Sequence, residues 1–460
     1  MKRKFPDAIT IIMFIMIIFI IITWIIPAGE FSYELKNGRN FLIPGSYRLV
    51  EQSPQGFFAF LTAPIKGFVQ ASLIIGFCFL VGGAFGVLNK TGAIDAGLFY
   101  MIRRTENNRR SKKLVIVLLM VMFSVCGATF GMSESVLVFI MLTIPMARAM
   151  GYDSITGLSV SFLAAGVGFA GALTNPFTIG IAQGIAELPL FSGWEYRLLV
   201  WLIFTMAAIV FVLIYIRKIE KNPERSPVYE IDKESKKLIV ASEDVPFTLG
   251  RKIVLVLLIG VLGLIIYGSN RWSWYINEIA AVFVGLGIAS ALISRLRTSE
   301  AIQAFIGGAK DMVMAALIIG MARGLLVIAE DGKIIGTMLY HISQYANQFH
   351  TVLAVEMMFI FQGFLNFFVP SGSGQAALTM PIMAPLSDLV GVSRQTAILC
   401  FQFGDGIFNM IIPTSGVTMG ALSIAGVPYN KWAKWLFPFI LIMTLLAMLL
   451  LIPPVLLFAY

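Results

Sequence analysis

Long apolar runs separated by short polar connections dominate this chain. Ile9 to Ile26, Leu198 to Ile216 and Trp435 to Leu457 contain no charged residue. Each is long enough to cross a hydrocarbon core of about 30 Å as a helix. The runs are continuous and do not alternate at period two, which argues against a membrane β-barrel. Similar patterns predict helices over 68–88, 253–268, 277–294 and 311–328. With two interrupted helices, 154–186 and 394–424, they predict nine crossings and an all-α polytopic membrane protein.

The polar positions inside the apolar sequence repeat. GMSESVLVFIMLTIPMARAMG, Gly131 to Gly151, slides without a gap onto SGSGQAALTMPIMAPLSDLVG, Ser371 to Gly391. The slide matches Ser133 with Ser373, Pro145 with Pro385, Thr174 with Thr414 and Thr178 with Thr418. A second match upstream sets Lys66, Ala71 and Leu73–Gly76 against Lys310, Ala315 and Leu317–Gly320. Paired polar interruptions in two halves of a membrane protein point to the binding site of a secondary transporter.

Within each repeat the pattern predicts a re-entrant hairpin. Leu114 to Phe130 and Val136 to Ala149 flank a Gly- and Ser-rich turn, and the second arm spans only roughly 21 Å as a helix. The other hairpin has arms near 351–368 and 376–389, so the two hairpins occupy 114–149 and 351–389. Irregular backbone at membrane depth is tolerated where it is buried in protein or lines a cavity. Two ordinary crossings with an aqueous turn remain the alternative, because loop charges are the same for both.

Downstream of each hairpin a helix breaks beside proline, at Thr174-Asn175-Pro176 and at Pro413-Thr414-Ser415. Proline removes an amide donor and clashes with the preceding turn. Such a break frees carbonyls for a cation and offers a half-helix N-terminus to an anion. The candidate substrate residues are Ser133, Glu134, Ser135, Asn175, Ser371, Ser373, Gln375, Ser415 and Asp405. The candidate coupling-ion residues are Ser133, Thr174, Asn175, Ser373 and Thr414.

Charge orders the picture. The chain is 58% hydrophobic and 13% charged, with a net charge of +9. A soluble domain of this length needs more charge on its surface. The basic residues flank the apolar runs, so orientation explains them better than nucleic acid does. MKRK precedes the first run and MIRRTENNRRSKK, Met101 to Lys113, follows the helix at 68–88, which puts the N-terminus in the cytoplasm under the positive-inside rule. The first run is too long for a removable signal peptide. Residues 29–55 read as an external loop, and 217–252 as a mobile cytoplasmic linker between halves 1–216 and 253–460. With these loops the two halves run in opposite senses, an inverted repeat. Cys78, Cys126 and Cys400 lie in apolar segments and read as core residues. His341 and His350 lack the Cys or acidic company of a metal site.

The motifs GMSES, TNPFTIG, PSGSGQAALTMPIMAPLSDLVGVSRQTAI and FQFGDGIFNMIIPTSGVTMG resemble the anaerobic C4-dicarboxylate uptake carrier family. The branch that they resemble is the one labelled arginine/ornithine antiporter-like or basic amino acid permease. The resemblance spans nearly the whole chain and places it in the ion transporter superfamily. It implies an inverted-repeat fold with two hairpins and two unwound helices, elevator motion against a scaffold, and a homodimer in a bacterial inner membrane. It also implies that the amphipathic stretches Lys90–Arg104 and Asp331–Ala346 are horizontal arm helices; interfacial loops are the alternative. The Ser-Asn-Thr tips of the superfamily's dicarboxylate/Na⁺ symporters are here Ser133-Glu134-Ser135 and Ser371-Gly372-Ser373. This departure leaves both the dicarboxylate specificity and the Na⁺ stoichiometry open.

Two acids fall at membrane depth, Glu134 at a hairpin tip and Asp405 two turns before the second break. An ionised acid there is costly, which makes function the default expectation. Either could hold a substrate ammonium, coordinate Na⁺ or carry a coupling proton. Arg323 is the one deep basic candidate, with Asp405 or Glu356 as its structural partner. Two acids without a local arginine suit an amino acid better than a dianion. A dicarboxylate or short-chain carboxylate carrier is the alternative, and a membrane enzyme using Glu134 and Asp405 is the alternative of another class. No GxxxxGK[ST] or HExxH motif is present to support a pump or a metalloenzyme. The expected ligands are a small solute, lipid and Na⁺ or H⁺, with no other cofactor and no nucleic acid.

Overall fold

The computed structural model describes residues 8–36, 39–43, 46–94, 96–97, 100, 109–233, 246–272, 274, 276–346 and 351–457. The molecule is a helical membrane protein. Among the described residues seven helices are long and apolar enough to cross a bilayer, and a bent pair makes an eighth if it counts as one span. Both chain ends lie outside the described residues, and so does His350.

The first helix, α1 (Ala8–Ile25), leads into a segment that the sequence suggested was a loop. It folds into two small antiparallel pairs, β1 (Gly29–Glu30) with β4 (Arg48–Leu49) and β2 (Tyr33–Lys36) with β3 (Arg39–Leu42). Ladder hydrogen bonds satisfy backbone groups that a bare loop would have to leave to water.

Each of the helices expected at 68–88 and 311–328 is present and is preceded by a shorter helix that the sequence reading lacked. Two consecutive helices stand at each place: α2 (Phe57–Gln70) and α3 (Ser72–Lys90), then α12 (Thr298–Asp311) and α13 (Val313–Asp331). Between the pairs come α4 (Arg109–Phe130) to α11, described below. α2 packs on α13, and α3 packs on α12. Small residues permit this contact: a Cβ on Gly86 would lie 2.9 Å from Gly308 Cα, and one on Gly67 would lie 2.9 Å from Gly324 Cα. Close backbone approach of this kind drives helix association where water supplies no hydrophobic force. α1 lies against α13. α10 (Leu249–Arg271) and α11 (Ile276–Ile293) form an adjacent pair, and α11 packs on α3. Trp272 and Trp274 meet in the turn between them, with ring centroids 5.2 Å apart.

The central body holds the hairpins and broken helices. Hairpin 1 is α4 with α5 (Val136–Ala149); hairpin 2 is α15 (Thr351–Phe368) with α16 (Gly372–Leu389). α14 (Ile334–Ala346) precedes hairpin 2, while residues 101–108 of the equivalent stretch lie outside the described residues. Each hairpin straddles the first segment of the broken helix that follows it. In the first half that segment is α6 (Ser154–Leu158), a π-turn stretch over Ser159–Leu163 and α7 (Ala164–Gly171). In the second half it is α17 (Arg394–Phe408). The segments after the breaks are Pro176–Gly180 with α8 (Ile181–Ile185), and α18 (Gly416–Ala425). They cross over: α8 packs on hairpin 2, and α18 packs on hairpin 1. α9 (Trp194–Lys221) and α19 (Tyr429–Leu457) complete the body.

Local chemistry starts these segments. Asp153 and Ser393, one repeat apart, cap α6 and α17 by accepting from Thr156 N and Thr396 N. Asn175 and Ser415, equally spaced, cap the segments after the breaks by accepting from Phe177 N and Thr418 N. Such side-chain oxygens satisfy donors that a helix start leaves unpaired. Pro176 occupies the first turn, where its missing N–H costs nothing.

The linker reading also needs correction. α9 continues to Lys221, and the chain to residue 233 is fastened to the body. Asp232 accepts from Arg148 Nη2 at 2.8 Å, Ser154 N at 2.8 Å and Ser154 Oγ at 2.5 Å. Ser226 Oγ donates to Asp153 at 2.6 Å, and Lys431 Nζ to the Pro227 carbonyl at 2.5 Å. Charges read as solvated linker thus satisfy buried polar groups at the base of hairpin 1. Residues 234–245 lie outside the described residues.

Candidate functional site

The two hairpin tips meet. Gly131 opens the first turn with a φ of +67°, and a Cβ there would lie 2.8 Å from the Asn175 side-chain carbon. Glycine is therefore required both by its left-handed backbone and by the approach of the first break. Ser371 opens the second tip, where its hydroxyl accepts from Gly374 N and caps α16.

Two cavities share Glu134, Pro370, Ser371 and Val417 in their walls. A narrow one of about 60 Å³ lies between Ser133 and Glu134 of the first tip, Ser371 of the second, and Asn409, Ser415 and Thr418 at the second break. A wider one of about 260 Å³ is lined by Gln70, Glu134, Arg323, Ser371, Ser373 and Thr414. A third, of about 500 Å³, shares Arg323 and Ser371 with the second and adds Glu30, Glu330 and Lys333. The narrow cavity lies within the central body, and the two wider ones lie between that body and α13.

Of the residues named from the sequence, Ser133, Glu134, Ser371, Ser373, Thr414 and Ser415 line these spaces. The others do not. Thr174 is engaged with the end of α4: its amide donates to Ala128 O at 3.1 Å and its hydroxyl to Thr129 O at 3.2 Å. Asn175 is fully buried and spends its oxygen on the helix cap. Ser135 is buried at the start of α5. Gln375 turns into hairpin 2, where its amide donates to Gln362 O at 2.8 Å and Gln362 Oε1 at 2.7 Å. Asp405 is fully buried in the wall behind the narrow cavity.

Arg323 does not pair with Asp405 or Glu356. Its Nε donates to Gln70 Oε1 at 2.9 Å, across the α2–α13 contact. The guanidinium faces the same cavity as Glu134, because α13 presents this turn to the hairpin tips. A site described from sequence as lacking arginine therefore has one, supplied from outside the repeat's polar motifs.

Arg197 went unrecognised. It is 2% exposed at the start of α9 and returns to the first break. Its Nε donates to Ala172 O at 2.9 Å, one Nη to Leu173 O at 3.1 Å and Phe191 O at 3.1 Å, and the other to Ser192 O at 2.8 Å. Carbonyls expected to await a coupling ion are thus held by a tethered guanidinium at the negative end of α7. At the second break neutral donors do the same: Thr418 hydroxyl to Asn409 O, Trp432 Nε1 to Met410 O at 3.0 Å and Tyr429 OH to Ile411 O at 3.0 Å. The signal available in the sequence was an arginine just inside an apolar helix, which reads equally as a flanking charge.

The model of the C4-dicarboxylate anaerobic carrier family matches residues 5–456. The chain belongs to that family. A "Putative basic amino acid antiporter YfcC" of Escherichia coli K12 is 36% identical over 93% of this chain and 92% of the relative. An uncharacterized Haemophilus influenzae protein is 30% identical over 100% of this chain and 99% of its own length. Among solved structures, Neisseria gonorrhoeae MtrF, described with a class of antimetabolite efflux pumps, matches 98% of the chain and 95% of its own at 16% identity and a TM-score of 0.42. The Alcanivorax borkumensis YdaH transporter matches 97% and 98% at 14% identity and a TM-score of 0.43. This C4-dicarboxylate carrier family member is an integral membrane transporter.

Proposed function

We propose that the protein is a secondary active transporter of amino acids, binding one zwitterion between the hairpin tips and α13. The observation that carries this reading is the 260 Å³ cavity, which has one acid and one base in its wall, Glu134 and Arg323. A zwitterion needs an acceptor for its ammonium and a donor for its carboxylate. Charge-assisted hydrogen bonds of both kinds are stronger than neutral ones. The hydroxyls of Ser371, Ser373 and Thr414 are placed for the remaining polar atoms. A dicarboxylate would face Glu134 with like charge. The antiporter description of the Escherichia coli relative agrees with an exchange reaction.

Exchange or ion coupling by an elevator motion, an inverted repeat, a homodimer, and an inner-membrane location with the N-terminus inside belong to the same proposal. The crossed pairings α2–α13 with α3–α12, and α8 with α18 on opposite hairpins, are those that a two-fold axis between the halves requires. Glu134 lines both tip cavities whereas Asp405 lines neither, which favours binding and coupling roles over a paired-acid enzyme.

Uptake into proteoliposomes preloaded with unlabelled substrate tests the reading. Amino acids should exchange, and dicarboxylates should not compete. Glu134→Gln should lower amino-acid uptake by about 100-fold, as expected for loss of a charged hydrogen bond with its partner left buried. Its affinity for simple carboxylates should persist. Wild-type uptake confined to dicarboxylates, or undiminished amino-acid uptake in Glu134→Gln, would sink it.

A further inference from the structure

Asp405 is the centre of a polar cluster that transport of a zwitterion between Glu134 and Arg323 does not use. Its side chain is fully buried. Asn409 Nδ2 donates to Oδ1 at 2.8 Å, and Asn366 Nδ2 donates to the Asp405 carbonyl at 2.9 Å. The second carboxylate oxygen, Oδ2, has no hydrogen-bond partner. It faces the N-terminal turn of α16. A Cβ built on Gly372 would lie 2.9 Å from Asp405 Oδ2 and 2.6 Å from Thr178 Cγ2. Thr178 belongs to the segment after the first break, so three elements converge here: hairpin 2, α17 and the other half's broken helix.

The neighbours are oxygen-rich and equally unsatisfied. Thr178 Oγ1, Asn366 Oδ1 and Asn409 Oδ1 are buried without a partner. The two amides spend their nitrogens on Asp405 and so leave their oxygens over. A buried unpaired carboxylate is among the costliest groups a protein can hold, and each unpaired neutral oxygen adds to the cost. A proton on Oδ2 would serve one of these oxygens. A small metal cation serves several at once and cancels the charge. Hard singly and doubly charged ions favour carboxylate, amide and hydroxyl oxygen. Among the described residues no group of three His, Cys, Asp or Glu comes together, so the donor set matches one positive charge better than two.

We propose that Asp405 and Thr178, with the Asn366 and Asn409 amide oxygens, bind a sodium-class monovalent cation in the wall of the transport cavity. The site lies beside the narrow cavity, since Gly372 and Asn409 line that space. Bound there, the ion neutralises Asp405 and joins hairpin 2 to the first half's broken helix. Occupancy thereby stabilises the arrangement of tips that forms the substrate site. As a coupling site it rests on the transporter reading; as a binding site it needs no substrate, so the two can fail separately.

The test uses the purified full chain in nanodiscs without substrate. Thermal unfolding and ²²Na⁺ binding are measured in NaCl, KCl and choline chloride at equal ionic strength. Saturable binding and stabilisation by Na⁺ are expected for the wild type. Asp405→Asn, which keeps the side-chain shape, should weaken Na⁺ about 10- to 100-fold, and Thr178→Val about 10-fold. Wild-type Na⁺ affinity in Asp405→Asn would overturn the assignment. A wild-type response that follows pH alone, with no effect of Na⁺, would also overturn it. Should Asp405→Asn fail to fold, Thr178→Val decides, because unaltered Na⁺ affinity in that neutral variant removes the site. Substrate uptake by the wild type, measured separately, reports on the transporter reading alone.

Discussion

The two halves share a backbone plan and differ in what fills it. A constant offset carries Ser133 onto Ser373 and Thr174 onto Thr414. The same offset sets Met122, Cys126, Ser135, Phe162, Ala165 and Phe169 of the first half against Gln362, Asn366, Gln375, Gln402, Asp405 and Asn409 of the second. Apart from Ser135, these first-half positions are apolar, and the polar groups buried around them are hydroxyls such as Thr143 and Ser161; at the same positions the second half has amides around a carboxyl. The breaks are electrostatic opposites as well. The first carries a fixed positive charge, Arg197, on its free carbonyls. The second has its carbonyls held by neutral donors, with the buried carboxyl of Asp405 two turns before the break. The repeated sequence thus keeps two breaks at equivalent positions while dividing their chemistry. A guanidinium is built into the first half, and a buried carboxyl, Asp405, into the second.

The comparison is broken most severely at the first break. Arg197→Met leaves Ala172 and Leu173 carbonyls buried and unpaired, and should cost about 4 kcal/mol. Thermal unfolding in nanodiscs would read this as a large drop in midpoint. An unchanged midpoint would mean the guanidinium is not what holds the first break.

A smaller contrast separates the hairpin bases. Arg148 reaches the nearly buried Asp232, whereas the equivalent position of hairpin 2 is Asp388, paired with Arg394 at 2.8 Å. The sign is exchanged, and the first half borrows its acid from the segment after α9. Arg148→Ala leaves Asp232 without its buried partner and should destabilise by about 3 kcal/mol. A denaturant titration giving a loss below that of the hairpin 2 pair would reverse the ranking.

The smallest effect is expected at that second pair. Arg394 is 31% exposed and Asp388 is 49% exposed. Arg394→Ala should therefore cost under about 1 kcal/mol, and less at high salt. A salt-independent loss as large as that of Arg148→Ala would place the two hairpin bases on an equal footing.

Much of the site was legible because its makers act locally. Ser371, Asn175 and Ser415 cap the segments they begin, and proline beside each break forbids the helix from continuing. Glu134 was legible for another reason, since an acid inside an apolar hairpin has few roles other than function. α12 escaped notice because Lys310 and Asp311 end its apolar run, although α3 covers its apolar face. Gln375 and Ser135 were misplaced because their spacing matches the tip motif, yet the pitch of their helices turns them into the hairpins.

The sequence by itself determined the apolar spans, the two interrupted repeats and the points where each helix begins and breaks. These follow from periodicity, proline and capping, which act within a few residues. Only the tertiary structure decided which charge answers which. Arg197 meets carbonyls from 25 residues upstream, Arg323 lines the tip cavity from another helix pair, and Thr178 and Asp405, from different halves, both close on Gly372. A charge buried away from water takes whatever partner packing brings within reach, and packing is a property of the whole chain.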